Sequence, residues 1–457
     1  MGRTLSAFRA LYAATLLMLI GSGLLSTYMA LRLASEEVPG AWIGALTGAQ
    51  YLGLVLGGKV GHRLIARVGH IRAYVACAGI VTAAVLGTGI LPFLPVWLLL
   101  RMLVGMGMMC QYMVLESWLN EQAEPNQRGK VFSGYMTASY FGLVLGQGVL
   151  IAWPELGSEK LMLVALCFAL CLVPVAITAK IHPAPMSPAP LDPGFFFKRI
   201  PQSLTTTVVS GLAIGSFYGL APVYAAAQGL PTERVGLFMG VCIFAGLVAQ
   251  WPIGWLSDRH DRSWLINKVA LVLVVAALPL ALLPKVPLLL LLALGFAVSM
   301  LLFVLYPLAV ALSNDHVEGE RRVSLTAMLL ATFGVGACIG PLLVGALMNW
   351  FGANMLYASI GVCGLILVWR IRPQDVKGLH RVDEAPLQHV PMPDSLASSP
   401  LVAALDPRVD EQVVHDQMQN AEAAATPAEA ADEETSSSAV EAMTEESNPI
   451  LEDEPKR

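Results

Sequence analysis

The chain has 457 residues, of which 56% are hydrophobic and 13% charged, with a formal net charge of −5. A soluble globular chain is nearer 25% charged, and the apolar residues here run in stretches of roughly 20, enough to cross a bilayer core about 30 Å thick as a helix. The composition excludes a soluble globular domain, makes the lipid bilayer the first expected partner, and predicts no nucleic-acid partner.

Twelve spans are predicted, at about 9–32, 41–61, 72–91, 96–119, 130–151, 160–180, 203–227, 234–256, 265–283, 287–312, 322–347 and 352–370. Breakers separate them: Pro39-Gly40, Pro92 with Pro95, Trp153-Pro154, Pro231, Pro284 with Pro287, and Phe351-Gly352. The first run, Leu11 to Leu33, is too long for a signal-peptide h-region, so no cleavable leader is expected. Lysines and arginines favour one set of loops by 18 to 4, which predicts both termini in the cytoplasm of a cell with an inner membrane. Residues 181–202 hold six prolines and read as a cytoplasmic linker. Residues 371–457 carry 19 acidic and 6 basic residues, so the net charge reports this segment, and its Ala-, Glu-, Ser- and Pro-rich composition predicts a disordered acidic cytoplasmic tail.

The seven cysteines lie in apolar runs without a metal-ligand spacing, so no disulfide framework, metal or cofactor is expected. The eight histidines read as loop or tail residues, which rules out a transmembrane histidine relay. The spans carry no nucleophile–base pair and no phosphate loop, so the chain is not read as an enzyme.

The chain repeats itself. Residues 44–70 and 236–262 share a pattern 192 positions apart, with Gly44 on Gly236, Gly48 on Gly240 and Arg67 on Arg259. Spans five and eleven match too: Gly142 and Gly146 precede Gly336, Gly340 and Pro341 by 194 positions. Small residues four apart let helix backbones approach, and proline bends a helix at a contact. A duplication near half the hydrophobic region suits a transporter whose halves rock about a central site.

The stretch Gly254-Trp255-Leu256-Ser257-Asp258-Arg259-His260-Asp261-Arg262 resembles the loop signature of the major facilitator superfamily, with Asp261 where that family usually has glycine. Asp258 is suited to a helix N-terminus in the other half, near Lys130; Arg259 and Arg262 are expected in water or on lipid phosphates. The first-half copy keeps Arg67 and Gly69 but has Ala66 in place of the acid. Glu121, before Arg128, resembles the family's loop glutamate that braces the first-half basic loop. In span four, Arg101-x-x-x-Gly105-x-Gly107 is similar to a family pattern associated with proton-coupled antiport. The runs ESWLN, NQRGKVFSGYM, SFYGLAPVY, AQWPIGWLSDR and LYPLAVA are closest to the YcaD-like branch of putative transporters.

The resemblance implies an all-α membrane protein of twelve transmembrane helices in two pseudo-symmetric six-helix bundles, residues 1–180 and 203–370. It further implies a cavity lined by spans one, four, seven and ten. The candidates there are Tyr28, Arg101, Gln111, Tyr112, Glu116, Tyr218, Tyr224 and Tyr306. Arginine is costly in hydrocarbon, so Arg101 should face the bundle interior or snorkel to the near surface. Aromatic and methionine walls suit an amphipathic small organic solute. Three functions stay open for a monomer of this kind. One is proton-coupled export, with Glu116 or a neighbour titrating. Another is uptake or facilitated exchange without protons. The last is a membrane sensor or receptor that no longer transports.

Overall fold

The protein is seen in a computed structural model that describes residues 2–123, 128–177, 192–317 and 321–371. The expected tail beyond residue 371 and the first half of the expected linker lie outside these residues. Among the described residues every regular element is helical.

The N-terminal half comprises α1 (Gly2–Ser35), α2 (Gly40–Val68), α3 (His70–Ile90), α4 (Leu94–Gln122), α5 (Arg128–Ala152), α6 (Glu159–Leu170) and α7 (Leu172–Ile177). The C-terminal half comprises α9 (Pro201–Ala227), α10 (Thr232–Ser257), α11 (Arg262–Leu282), α12 (Leu288–Leu302), α13 (Leu305–Asn314), α14 (Arg322–Phe351) and α15 (Met355–Arg370). A short helix, α8 (Pro193–Arg199), stands within the stretch read as linker.

Two pairs of these helices are single broken crossings, α6 with α7 and α12 with α13, which makes twelve crossings among the described residues. Ten of them are long and apolar enough to span a membrane on length and hydropathy alone; the others are glycine-rich α2 and the shorter α15. An even number of crossings brings the start of α1 and the end of α15 to one face, here the terminal face, opposite the far face.

Each break falls where a proline's ring meets the preceding turn. Proline lacks an N–H and its ring clashes with the carbonyl four residues earlier. Pro174 puts that clash on Leu170, the last residue of α6. Pro307 puts it on Phe303, between α12 and α13. The sequence reading drew both spans as continuous. It also left the histidines to loops and tail, whereas His62 lies inside α2 and His70 opens α3, both near the terminal face.

The two halves use the same joints. In the first, Gly142 and Gly146 of α5 rest on the backbone of α1 at Leu16 and Ile20. In the second, Gly336 and Gly340 of α14 rest on α9 at Val208 and Leu212. These four glycines therefore bind helices within a half. α3 packs on α6 as α11 packs on α15.

The α11–α15 pair is fastened at both ends. The Asn267 side chain donates to the carbonyls of Val368 and Ile371, each 2.9 Å away, at the end of α15. Asn354, the N-cap residue of α15, donates to Ala281 and Leu283 at the end of α11. Each amide thus occupies carbonyls that a helix end leaves without an internal partner. Asn267→Leu should orphan two of them and cost about 1–3 kcal/mol. A lowered melting temperature of the purified protein, with Asn354→Leu acting in the same direction, is the measurement.

Candidate functional site

Glu116 stands three-quarters of the way along α4 and is fully buried. Its Oε1 accepts a 2.9 Å hydrogen bond from the Tyr135 hydroxyl on α5. Tyr306, on α13 of the other half, lies within electrostatic range of the same carboxyl group. Tyr112, one turn before Glu116 on α4, is buried as well.

A second polar knot sits beside the first. Gln111 Nε2 donates to Cys171 Sγ at 3.5 Å, and the Tyr74 hydroxyl donates to the same sulfur at 3.3 Å. Cys171 is the residue left at the α6–α7 break. Sequence reasoning treated it as core filling and missed Tyr74 and Tyr135; the proline at 174 was the available signal.

The facing wall belongs to the C-terminal half and is aromatic. Tyr218 of α9 stacks on Phe303 with centroids 5.5 Å apart, and Phe217 meets Phe303 edge-on at 5.5 Å. Tyr306 sits edge-on to Phe333 of α14 at 5.2 Å. Such offset and T-shaped contacts satisfy the ring quadrupoles. The α12–α13 break is what turns Phe303 toward this wall.

Arg101 lies two turns into α4 on its far-face end and is 4% exposed, so it is held inside the bundle rather than snorkelling to the surface. Its Nε and Nη1 have no hydrogen-bond partner among the described residues. Gly105 seats α4 against Gln50 of α2, and Gly107 seats it against Cys77 and Val81 of α3.

Two candidate tyrosines are engaged elsewhere. The Tyr28 hydroxyl accepts from Arg32 Nη1 at 3.1 Å, and Arg32 in turn holds Glu36 and approaches the Trp97 ring, so this group ties α1 to α4 at the far face. Tyr224 donates to the Leu280 carbonyl at 3.0 Å and crosses Tyr357 at 4.7 Å, which fixes it among α9, α11 and α15.

At the terminal face, the α10–α11 turn explains its own departure from glycine. Asp261 is the N-cap of α11, its carboxylate accepting from Trp264 N at 2.7 Å. The equivalent Gly69 makes the α2–α3 turn by adopting φ +84°. Thus one copy turns by backbone freedom and the other by a side-chain cap. Arg262 corrects the expectation that it stays in water: it is 6% exposed, paired with Asp315, and donates to the Ala311 carbonyl at 2.9 Å. It clamps the start of α11 to the end of α13. Arg259 does stay exposed, stacked 3.8 Å over Trp255, and Arg67 is exposed at the end of α2. Gly254 is buried one turn before Asp258, which closes α10 as its C-cap. Glu121 and Arg128 fall in helices, and their side chains lie outside the described residues.

Across the halves, α2 meets α14 and α5 meets α10, both antiparallel. Gly40 lies against Gly345, Gly44 against Pro341 and Gly48 against Cys338. Gly236 lies against Gln147, and Gly246 against Tyr140 and Phe303. All these approaches are in the far half or at mid-depth. Continued to the terminal face, the α5–α10 register brings Asp258 level with the first turn of α5. The α2–α14 register likewise brings Ala66 level with the first turn of α14, where a methyl group can accept no N–H.

The chain matches the model of the Major Facilitator Superfamily over residues 11–305 and 248–408. It is 28% identical over 364 residues to an uncharacterized MFS-type transporter of Enterobacter sp. (strain 638), covering 78% of this chain and 93% of that one. It is 27% identical over 372 residues to the uncharacterized MFS-type transporter YcaD of Escherichia fergusonii, covering 79% and 94%. The crystal structure of the nucleoside transporter NupG superposes with a TM-score of 0.69 at 14% identity, over 80% of this chain and 98% of the other.

A methyl group on Gly44 would overlap the Pro341 carbonyl oxygen, which is backbone and cannot move aside. Gly44→Val should force α2 from α14 and open the far face. Cysteines placed on the facing sides of these helices should then react with a membrane-impermeant maleimide at least about five-fold faster, a shift of about 1 kcal/mol in the closing equilibrium.

Proposed function

The chain belongs to the major facilitator superfamily, and on that premise we propose that it exports a small organic solute through the cytoplasmic membrane in exchange for protons, with Glu116 as the proton-carrying group. Membership of that family makes it a multi-pass membrane transporter. The observation that carries the proton step is the buried Glu116–Tyr135 pair within range of Tyr306. A carboxyl group without access to water prefers its neutral form, and a change of packing between the halves changes that access. Such a group loads a proton in one conformation and releases it in the other, which couples proton movement to the rocking of the halves.

The direction rests on the Arg101-x-x-x-Gly105-x-Gly107 pattern and its likeness to antiporter sequences. The solute class rests on the wall of Phe217, Tyr218, Phe303 and Tyr306, which favours a partly apolar molecule. The unpaired nitrogens of Arg101 offer a place for a negative group on the same molecule. The terminal face is assigned to the cytoplasm by the excess of lysine and arginine in its loops, and the chain works as a monomer, since each half finds its partner within the chain.

Uptake or uncoupled exchange is the second reading. It is favoured by α1, which carries no acidic residue along its whole length. Proteoliposomes separate the two. With an imposed proton gradient, the wild type should move its solute several-fold faster than without one. Glu116→Gln should lose that acceleration yet keep exchange of solute at equal pH. Transport by the wild type that ignores the gradient selects the second reading.

A further inference from the structure

Gln250 belongs to α10, outside the four crossings read as cavity lining. Its side chain is 4% exposed, yet neither Oε1 nor Nε2 has a hydrogen-bond partner among the described residues. Native proteins satisfy the great majority of buried polar atoms, so a wholly unmet amide calls for a partner from outside the chain. Other buried glutamines differ. Gln111 and Gln147 each leave only Oε1 unmet, since Nε2 of the first reaches Cys171 and Nε2 of the second reaches the Gly23 carbonyl.

The position of Gln250 says what it addresses. One helical turn earlier, a side chain on Gly246 would run into Phe303 and Tyr140. That face of α10 therefore looks onto the junction of the halves, and residues four apart share a helix face. Gln250 continues that face one turn further toward the terminal side, past the level at which Gly246 meets Phe303, the ring that Tyr218 stacks upon.

We propose that Gln250 is a substrate-recognition residue and that it reads the edge of a planar solute bearing an N–H donor next to a carbonyl acceptor, a lactam or cis-amide. The inference rests on the transporter reading and narrows its solute. A primary amide presents an N–H donor and a carbonyl acceptor side by side in one plane. A carboxylate would answer only Nε2, and an ammonium group only Oε1. A lactam edge answers both at once, and its flat ring fits the aromatic wall formed by Phe303 and Tyr218.

The probes are 2-quinolone, which has the edge, and N-methyl-2-quinolone, which keeps the ring and carbonyl but has lost the donor. Binding is measured on the purified full-length protein in nanodiscs. Wild type should prefer 2-quinolone by about ten-fold, the value of one buried hydrogen bond left unmade. Gln250→Leu should bring the two probes within two-fold of each other. If Gln250→Leu does not fold, Gln250→Met serves, because its unbranched side chain keeps a similar length and lacks both amide groups; its preference should likewise fall at least five-fold. A wild type that shows no preference, or binds neither probe, overturns the inference, as does a preference that survives in the variants. Proteoliposomes of wild type loaded with a mixed metabolite and drug panel separate this from the parent reading. Movement of other solutes with no lactam preference sinks Gln250 alone, whereas movement of none under any gradient sinks the transporter reading.

Discussion

Backbone touching backbone between α2 and α14 is the constraint on which the central region depends. In lipid there is no gain from hiding leucine, because the solvent is as apolar as the side chain. Helices that must hold together, and then part, use close van der Waals approach instead. Gly40, Gly44 and Gly48 supply one side and Gly345, Pro341 and Cys338 the other. Thr47, on the same helix, reaches Gly219 of α9. With the halves drawn together on this side, Tyr306 of the aromatic wall comes within electrostatic range of Glu116 on α4.

The two halves bring different chemistry to that meeting. The first contributes Glu116, Tyr135, Gln111 and Tyr74, joined in pairs by hydrogen bonds and, through Cys171, by the broken crossing α6–α7. The second contributes rings, held by edge and face contacts around Phe303 at the other broken crossing. A pseudo-twofold fold thus has a chemically one-sided centre. A solute lying across it is offered polar groups on one flank and π-faces on the other.

Much of the architecture was legible because membrane helices announce themselves by length and hydropathy, and because the duplication repeats its glycines. The predicted spans and the helices differ mostly by a few residues at the ends. What stayed hidden depends on partners distant in sequence. Arg262 reads as one more loop cation until Asp315, 53 positions later, is seen beside it. Tyr224 carries the same phenol as Tyr306, and only the nearness of Leu280 shows that its hydroxyl is already used. Gly336 and Gly340 were legible as packing positions, but not which helix they would meet. Gln250 gave no signal, because an orphaned amide is a statement about its surroundings. The breaks lie three residues before Pro174 and four before Pro307, yet Pro222, Pro252, Pro279 and Pro341 sit inside unbroken helices, so a proline in an apolar run did not by itself mark a break.

The reciprocal asparagines at the ends of α11 and α15 have a mechanical meaning. Two antiparallel rods bonded at one end only can slide along each other; bonded at both, they form a strut that resists shear. If the C-terminal half tilts, this outer wall must tilt as one plank, so deformation is directed to the crossing that proline has already interrupted, α12–α13. Phe303 sits at that interruption, where such deformation would reach its ring.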